Sequence, residues 1–377
     1  MTERWPITGV GAVASVGRDA EEIFANLCAA KSGLAPMREF TRDWYTAGEL
    51  YEIADRTGPA KRATGFLLDA VAQALADAGM DEDLGDIPVL VGTGLRELRS
   101  VERWWRDGDP MTAGELHFGT ALRQRFNASN THTFSNACSA SLYALSLATD
   151  LLQQDGGPEA VVVAGTDSIT ESMFAIADRV QSVPPDAVRP FDVNRKGTIL
   201  GEGAAAVVLR RTPPASGTVR GWLRGVGVNC DAVHATAPDA GMIAEVMRAT
   251  HRRAGVEPAE IDLVMLHGTG TPANDLGEAV AMGEVFGDDV KTPVMTALKS
   301  MTGHTSGGSG LHSLITALYS MRTGRIAPTI SLDSPMEEVE NFRIVRDEAV
   351  SEDVSLAQVN AFGFGGINAV AIVEGAR

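Results

Sequence analysis

The chain has 377 residues, and its 49 Asp and Glu residues outnumber its 32 Lys and Arg residues, which leaves a formal net charge of −17. This acidic balance argues against nucleic acid as the main partner, because phosphate binding needs a basic excess or a dense basic stripe. Hydrophobic residues make up 44% of the chain and charged residues 21%, a mixture typical of folded globular proteins and not of disordered ones.

The three cysteines, Cys28, Cys138 and Cys230, are too few and too widely spaced for a disulfide scaffold or a CxxC metal site. We therefore expect a reducing, cytoplasmic environment. The sequence has no uninterrupted run of about 18 apolar residues and no apolar signal segment near its first residues, so membrane insertion and secretion are not expected.

Strand-like segments recur in the same order in the two halves of the chain. Each half has an apolar run containing Gly-Val-Gly, then an apolar run ending in Gly-Thr-Gly, then a polar turn that opens an apolar helix. These segments are 5–15, 87–95 and 133–152 in the first half, and 222–231, 261–271 and 296–321 in the second. We predict one duplication with halves at 1–212 and 217–377, joined by a turn rich in Pro and Gly.

Further buried strands are predicted between and after these segments, with helices separating them. The predicted strands are 160–167, 204–209, 357–362 and 368–373, and the helices include 63–78 and 241–254. Alternating apolar strands and helices indicate an α/β protein whose sheets are mainly parallel and covered by helices.

Cys138 lies in a polar turn, Ser-Asn-Ala-Cys-Ser-Ala-Ser, and apolar residues follow it at helical spacing. This places the cysteine at or just before a helix N-terminus, where the helix dipole and free amides stabilise a thiolate. Cys138 is therefore a candidate nucleophile, with a small buried core thiol as the alternative. Cys28 and Cys230 lack such surroundings and are interpreted as structural.

Two histidines occupy comparable turns. His267 ends an apolar strand where a Gly-rich turn begins, and His304 lies in the turn before a helix. Strand ends and helix starts on one edge of a parallel sheet are where such folds place their sites. Because the His304 turn is the counterpart of the Cys138 turn, we predict that the three side chains meet. A structural role is the alternative for each histidine taken alone.

Two other kinds of site find weaker support. Gly-Val-Gly-Ala-Val-Ala at 9–14 matches a dinucleotide-binding pattern, but the helix after it starts too late, near Asp19, and Gly-Val-Gly recurs in the second half. His267, His304 and His312 have no short metal-ligand spacing, so no metal site is expected.

Five segments together resemble the thiolase-fold β-ketoacyl-acyl-carrier-protein synthases, in particular the decarboxylating Cys-His-His kind of fatty acid and polyketide synthesis. The segments, in the order of that family, are NACSAS at 136–141, RPFDVNRKGTILGEGAAAVVL at 189–209, HGTGTPANDLGEA at 267–279, KSMTGHTSGGSG at 299–310 and NAFGFGGIN at 360–368. The resemblance implies two pseudo-symmetric βαβαβαββ halves in a five-layered α-β-α-β-α core.

The resemblance also implies roles for individual residues. Cys138 would accept the acyl group, and the amides of Cys138 and Phe364 would form the oxyanion hole, with Phe364 gating the acyl pocket. His267 and His304 would bind the malonyl thioester carbonyl and assist decarboxylation, while Lys299 would pair with Glu278 and hold His304. The remaining substrate-binding positions in the same loop would be Thr269, Thr271 and Asp275.

No cofactor is expected, because the phosphopantetheine of an acyl carrier protein brings the substrates. That carrier is the expected partner of a discrete, type II synthase. The basic residues expected to dock it are Lys61, Arg62 and Arg179, for which solvated surface charge is the alternative. The resemblance implies a homodimer, or a heterodimer with a ketosynthase-like subunit. A non-catalytic partner subunit such as a chain-length factor is the alternative function. A non-decarboxylating thiolase is disfavoured, because the chain has no second cysteine in a matching motif.

Overall fold

Strands from both halves of the chain form one mixed sheet in the computed structural model, which describes residues 4–55, 61–180 and 183–376. The strands are β1 Trp5–Ala14, β2 Ala35–Pro36, β3 Glu49–Leu50, β4 Val89–Thr93, β5 Thr131–Ser135, β6 Ala160–Asp167, β7 Gly203–Arg210, β8 Gly221–Cys230, β9 Leu263–Met265, β10 Val294–Thr296, β11 Arg325–Ile326, β12 Arg343–Ile344, β13 Val350–Ser351, β14 Leu356–Gly363 and β15 Ile367–Gly375. The helices are α1 Ala20–Cys28, α2 Arg62–Asp77, α3 Leu98–Asp107, α4 Gly119–Phe126, α5 Ala140–Gln153, α6 Glu171–Val180, α7 Ala240–Ala254, α8 Pro272–Phe286, α9 Lys299–Thr302 and α10 Ser309–Thr323.

The order of strands in the sheet repeats between the halves. Over the described residues the order is β12-β10-β9-β14-β15-β8-β1-β7-β6-β4-β5. Read toward the centre, β5-β4-β6-β7-β1 of the first half corresponds to β10-β9-β14-β15-β8 of the second. The second half has one further strand, β12, at its outer edge. The two sets meet where β1 and β8 pair antiparallel. The predicted duplication is thus visible as two equivalent sets of five strands.

The expectation of mainly parallel strands is wrong. β4 pairs parallel with β5 and β6, and β9 pairs parallel with β10 and β14, but β6–β7, β1–β7, β14–β15 and β8–β15 are antiparallel. A tight turn joins β14 directly to β15, and a turn of this length can join only antiparallel neighbours. Each half therefore combines a parallel group of strands, near its outer edge, with an antiparallel group, near the centre.

Helices cover the sheet in layers. The apolar side chains of α5 and α10 share one core with strands of both halves, so these two helices lie between the half-sheets. Helices α2 and α4 pack on the other face of the first half-sheet, and α7 and α8 pack on the other face of the second. This is the expected α-β-α-β-α arrangement.

We propose the division of the chain at residues 212 and 217, because β7 ends at Arg210 and β8 begins at Gly221.

Among the helices of the described residues, none combines the length and the apolar character that crossing a bilayer requires.

The glycines of the dinucleotide-like pattern serve helix packing. A Cβ atom on Gly9 or Gly11 would overlap the main-chain oxygen of Ala74 or Ala70 in α2. β1 is buried along its whole length, with α2 pressed against it. The pattern therefore reflects a close approach of strand and helix, for which glycine is needed.

Candidate active site

The nucleophile candidate lies in a sharp turn between β5 and α5. Residues 137–139 form a 3-10 turn, and Ala137 adopts the left-handed region with φ of +49°. The Ser139 hydroxyl donates to the main-chain oxygen of Ile367 at 2.9 Å, and the Ser309 hydroxyl donates to that of Cys138 at 3.2 Å. Strands and helices of both halves thus hold the turn, and Cys138 stands at a helix start as predicted.

Burial decides the protonation state of Cys138. It raises the pKa of the thiol to about 11, although the charge of Lys299 and hydrogen bonds from the main-chain amides of Phe364 and Cys138 act in the opposite direction. Main-chain amides therefore favour the thiolate as expected, but burial outweighs them, and Cys138 is a thiol at neutral pH. Part of the residue remains accessible to solvent, which leaves a path for a substrate.

The two histidines meet as predicted, with ring centroids 5.5 Å apart. His267 follows β9, and its Nδ1 lies 3.2 Å from Nζ of Lys299. His304 precedes the turn before α10, and its Nδ1 accepts from the main-chain N–H of Ser306 at 3.2 Å. Because each Nδ1 faces a donor, each ring carries its proton on Nε2 when it is neutral.

Both rings are neutral at physiological pH. Burial and the positive charge of Lys299 hold the pKa of His267 and of His304 well below the usual value for histidine. Two adjacent neutral imidazoles, each presenting Nε2–H, form a pair of hydrogen-bond donors suited to an oxygen that becomes negatively charged.

The structure does not contain the predicted Lys299–Glu278 ion pair among its described residues. Lys299 donates to the main-chain oxygen of His267, and in the described part of the chain no contact of ion-pair length joins it to Glu278. Glu278 instead accepts from the main-chain amides of His267 and Gly268 at 2.7 and 2.8 Å. Lys299 therefore supports His267, not His304 as expected, and interacts with the Glu278 charge only at longer range.

Asp275 is also placed differently from the expectation. The residue is fully buried, and its carboxylate accepts from the main-chain amides of Thr269 at 3.0 Å and Phe191 at 2.8 Å. It shapes the loop from beneath and cannot touch a substrate. The hydroxyls of Thr269 and Thr271 lie 2.8 Å apart, and Thr271, which is partly exposed, caps α8.

The three candidate docking residues differ sharply in exposure. Arg62 forms an ion pair with Glu202, and their side chains are only 10% and 2% exposed. The expectation of a docking role for Arg62 is wrong, because its charge is neutralised inside the protein. Lys61 pairs with Glu115 while keeping 31% of its side chain exposed. Arg179 is exposed on α6.

Phe364 lies at the surface of the site and is 55% exposed, in the turn between β14 and β15.

Two residues to which the sequence analysis assigned no role adjoin the site. Asn360 donates to Glu278 at 3.0 Å, and Asp167 ends β6 against the turn that carries His304. A carboxylate at the end of the buried run Ala-Val-Val-Val-Ala-Gly-Thr-Asp was the available signal for Asp167.

The nitrogen atoms of another buried histidine, His312 in α10, are also occupied. Its Nε2 lies 3.2 Å from the main-chain oxygen of Val13, and its Nδ1 lies 3.2 Å from the main-chain oxygen of Gly308 and 3.4 Å from the hydroxyl of Thr305. Across the described residues there is no group of three or more His, Cys, Asp and Glu side chains arranged to hold a metal ion. All three cysteines are free thiols.

Known proteins share this sequence and architecture over nearly the whole chain. The family model for the N-terminal domain of β-ketoacyl synthases matches residues 3–215, and that for the C-terminal domain matches residues 220–333. A 3-oxoacyl-[acyl-carrier-protein] synthase 2 of Staphylococcus aureus is 30% identical over 411 residues, covering 98% of this chain and 100% of the relative.

Solved structures agree. A chain of the ishigamide ketosynthase/chain length factor is 31% identical, with full coverage of both chains and a TM-score of 0.91. A chain from the complex of a type II polyketide synthase acyl-carrier protein with its ketosynthase has a TM-score of 0.90, again with 100% coverage, and at 21% identity it shows the thiolase-like fold alone. The chain therefore belongs to the β-ketoacyl synthase family of acyltransferases.

Proposed function

We propose that the chain is a discrete, type II decarboxylating ketosynthase of fatty acid or polyketide biosynthesis. An acyl group passes from an acyl carrier protein to Cys138, and condensation with malonyl-carrier protein then gives β-ketoacyl-carrier protein and carbon dioxide. The observation that carries this proposal is the pairing of a buried thiol, under two main-chain amides, with two neutral imidazoles that each present Nε2–H.

In the acyl-transfer step, the sulfur of Cys138 attacks the thioester carbonyl of the carrier-bound acyl group. The Cys138 proton goes to the departing carrier thiol, so the net change is exchange of one thioester for another. The developing oxyanion is stabilised by the main-chain amides of Cys138 and Phe364, which already lie against the sulfur. A covalent intermediate divides a difficult reaction into two easier steps.

In the condensation step, loss of carbon dioxide leaves its bonding electron pair on the α-carbon of the malonyl thioester. The negative charge spreads to the thioester oxygen, which accepts hydrogen bonds from Nε2–H of His267 and His304. The carbanion attacks the acyl carbonyl on Cys138, and the Cys138 sulfur leaves and regains a proton. Lys299 keeps both rings neutral and orients His267.

The reaction balances without a cofactor, so we propose none beyond the phosphopantetheine that the carrier brings. The proposed partner is an acyl carrier protein, supported by the family membership and by the solved ketosynthase complex with such a carrier. We propose a cytoplasmic homodimer, with a heterodimer containing a ketosynthase-like subunit as the alternative. The exposed Arg179, and in part Lys61, remain candidates for contact with an acidic carrier.

A chain-length-factor-like partner subunit is the second candidate function, because a relative with a TM-score of 0.91 comes from a ketosynthase/chain length factor. A subunit without catalysis needs neither the nucleophile nor the two imidazole donors. Cys138, His267 and His304 are all present, and the two imidazoles lie against each other, which supports the catalytic role. Activity that appears only with a second homologous subunit would identify a heterodimer.

The test is intact mass spectrometry after incubation with acyl carrier protein loaded with an acyl group. The wild-type protein gains the mass of the acyl group, and Cys138→Ala gains none. Cys230→Ala, which removes an exposed thiol, is the matched control and keeps the adduct. An adduct that survives in Cys138→Ala would contradict the proposed role, and a wild-type protein that gains no adduct but restores activity to a second homologous subunit would favour the partner-subunit alternative.

A further inference from the structure

The second half of the chain contains a copy of the nucleophile turn. Residues 306–308 form a 3-10 turn directly before α10, as residues 137–139 do before α5, and Ser306 has φ of +47° where Ala137 has +49°. The correspondence places Gly307 at the position of Cys138. A Cβ on Gly307 would lie 2.5 Å from Cα of Thr93, so no cysteine could stand there.

The amide of this second turn is occupied by a carboxylate of the first half. Asp167, which is 1% exposed, accepts from the main-chain N–H of Gly307 at 2.7 Å. Its other donors belong to the turn after β4 and are the Thr93 hydroxyl at 2.8 Å and the amides of Gly94 and Leu95 at 2.7 and 2.8 Å. Within the described residues, no Lys, Arg or His forms an ion pair with Asp167.

The turn that Asp167 holds supports His304, which acts in the proposed condensation step. The main-chain N–H of Ser306, next to Gly307, donates to Nδ1 of His304 and so selects the ring tautomer. Gly94 lies at the junction: a Cβ on it would be 3.3 Å from the Asp167 carboxylate and 3.5 Å from Cβ of Ser306. No hydrogen bond runs from Asp167 to the Cys138 turn itself among the contacts of the described residues.

We infer that Asp167 is a positioning residue for the decarboxylating half of the reaction, which holds the Gly307 turn so that Ser306 keeps His304 in the tautomer that donates from Nε2. The inference rests on the proposed function. An ionised carboxylate accepts all four hydrogen bonds at once, whereas an amide in the same place turns an NH₂ group toward one of the N–H donors. The charge also reaches the nucleophile, because the Asp167 carboxylate raises the pKa of the Cys138 thiol.

Asp167→Asn tests the inference, with acyl loading of Cys138 and turnover with malonyl carrier protein measured separately. Turnover is expected to fall about 10- to 100-fold, because a displaced donor loses its geometry toward the reacting oxygen. Acyl loading is expected to stay within about threefold of wild type, since the Cys138 turn has other supports. Asp262→Asn is the matched control: that carboxylate also accepts main-chain amides, from Ser355 at 2.8 Å and Leu356 at 3.0 Å, but away from the site.

Alkylation of Cys138 by iodoacetamide at pH 8 adds a readout that a purely structural role would not move. Removing the Asp167 charge lowers the pKa of the thiol, so alkylation should become about threefold faster or more in Asp167→Asn. Asp262→Asn should leave the rate unchanged. Cys138→Ala identifies the signal that comes from Cys138.

Equal losses in loading and turnover, with an unchanged alkylation rate, would overturn the inference, as would wild-type turnover in Asp167→Asn. If the Asn variant does not fold, Asp167→Ser, which places no amide nitrogen against the donors, should show the same split between loading and turnover. Failure of both variants to fold would also overturn it, because Asp167 would then be a requirement of the fold. Absence of acyl loading in the wild type would instead defeat the proposed function, while alkylation still reports on Asp167.

Discussion

At the scale of single residues, burial determines which charges the active site carries. It makes Cys138 a thiol and both His267 and His304 neutral donors, because it outweighs the amides and charge that favour a thiolate. Lys299 is the buried cation whose charge moves all three groups, lowering the pKa of the thiol and of both imidazoles. At rest, Cys138 therefore carries the proton that it loses in the proposed reaction, and each histidine carries the N–H that it donates.

Two arginines that look alike in the sequence differ in burial: Arg62 is largely buried, whereas Arg179 is exposed. Arg62→Glu removes the guanidinium and places a second carboxylate against Glu202, whose side chain is 2% exposed. We expect the free energy of unfolding to fall by about 3–5 kcal/mol. The measurement is the shift of the denaturation midpoint in urea.

The exposed Arg179 provides the control for that experiment. Arg179→Glu should leave the denaturation midpoint in place and raise the KM for acyl carrier protein, with reaction toward a small acyl thioester unchanged. A stable Arg62→Glu protein would show that the Arg62–Glu202 pair is not needed for folding, and equal activity losses on both substrates in Arg179→Glu would exclude a docking role.

At the scale of elements, one short helix distinguishes the two halves. In the first half β5 leads almost directly into the turn at 137–139, whereas in the second half α9 is inserted between β10 and the turn at 306–308. Lys299 begins this helix, and His304 follows it. The duplication therefore supplies two equivalent turns, one bearing the nucleophile, and the insertion in the other brings the histidine and its supporting lysine.

The contact between β1 and α2 depends on glycine. Gly11→Ala would place its Cβ against the main-chain oxygen of Ala70, and we expect a cost of about 1–3 kcal/mol in the free energy of unfolding. Gly283 is the matched control, because a Cβ there meets nothing within 4 Å and the residue lies inside α8. Gly283→Ala should stabilise the protein by about 0.5–1 kcal/mol.

Urea denaturation of the two variants provides the measurement. The changes in the free energy of unfolding should have opposite signs. Gly283→Ala reduces the conformational entropy of the unfolded chain, whereas Gly11→Ala creates steric overlap in the folded protein. A neutral Gly11→Ala would show that α2 can move away from β1 without loss.

At the scale of the whole molecule, the central layer joins the halves into one unit. Helices α5 and α10 pack against strands of both half-sheets, and the Ser309 hydroxyl of α10 bonds to the main chain of Cys138. His312 in α10 reaches the main chain of β1 at Val13. Because these links run through the core, loss of the second half would also dismantle the nucleophile turn of the first.

His312 makes this layer sensitive to acid. Burial lowers the pKa of its ring, so below the ordinary histidine pKa of about 6.5 the unfolded chain binds a proton that the folded protein refuses. Its stabilising contribution is therefore present above that value and is lost as the pH falls. The loss of stability from pH 7.5 to pH 5.5 should therefore be smaller in His312→Gln than in the wild type.

Urea denaturation at the two pH values measures this difference. Glutamine can donate its amide N–H groups to the main-chain oxygens of Val13 or Gly308 and accept from the Thr305 hydroxyl, so the variant should fold. The same pH-dependent loss in both proteins would mean that His312 is protonated inside the folded protein.

Patterns local in the chain predicted most of the fold. The run at 160–167 coincides with β6, and the helices expected at 63–78 and 241–254 lie within one residue of α2 and α7 at each end. Recurring Gly-rich strand ends predicted the duplication, and the five family segments predicted the thiolase-like architecture. Strand direction was missed, because a run of buried apolar residues is the same whether its neighbour is parallel or antiparallel.

The sequence by itself predicted the groups of the proposed active site, since Cys138, His267 and His304 stand in turns whose residue types and spacing mark them. Only the tertiary structure decided how those groups are charged and supported: Lys299 on His267, Glu278 on main-chain amides, Arg62 buried and Asp167 beneath the second turn. The physical reason is that motifs follow local backbone geometry, whereas pKa values and ion pairs depend on burial and on neighbours that lie up to 140 residues away in the chain.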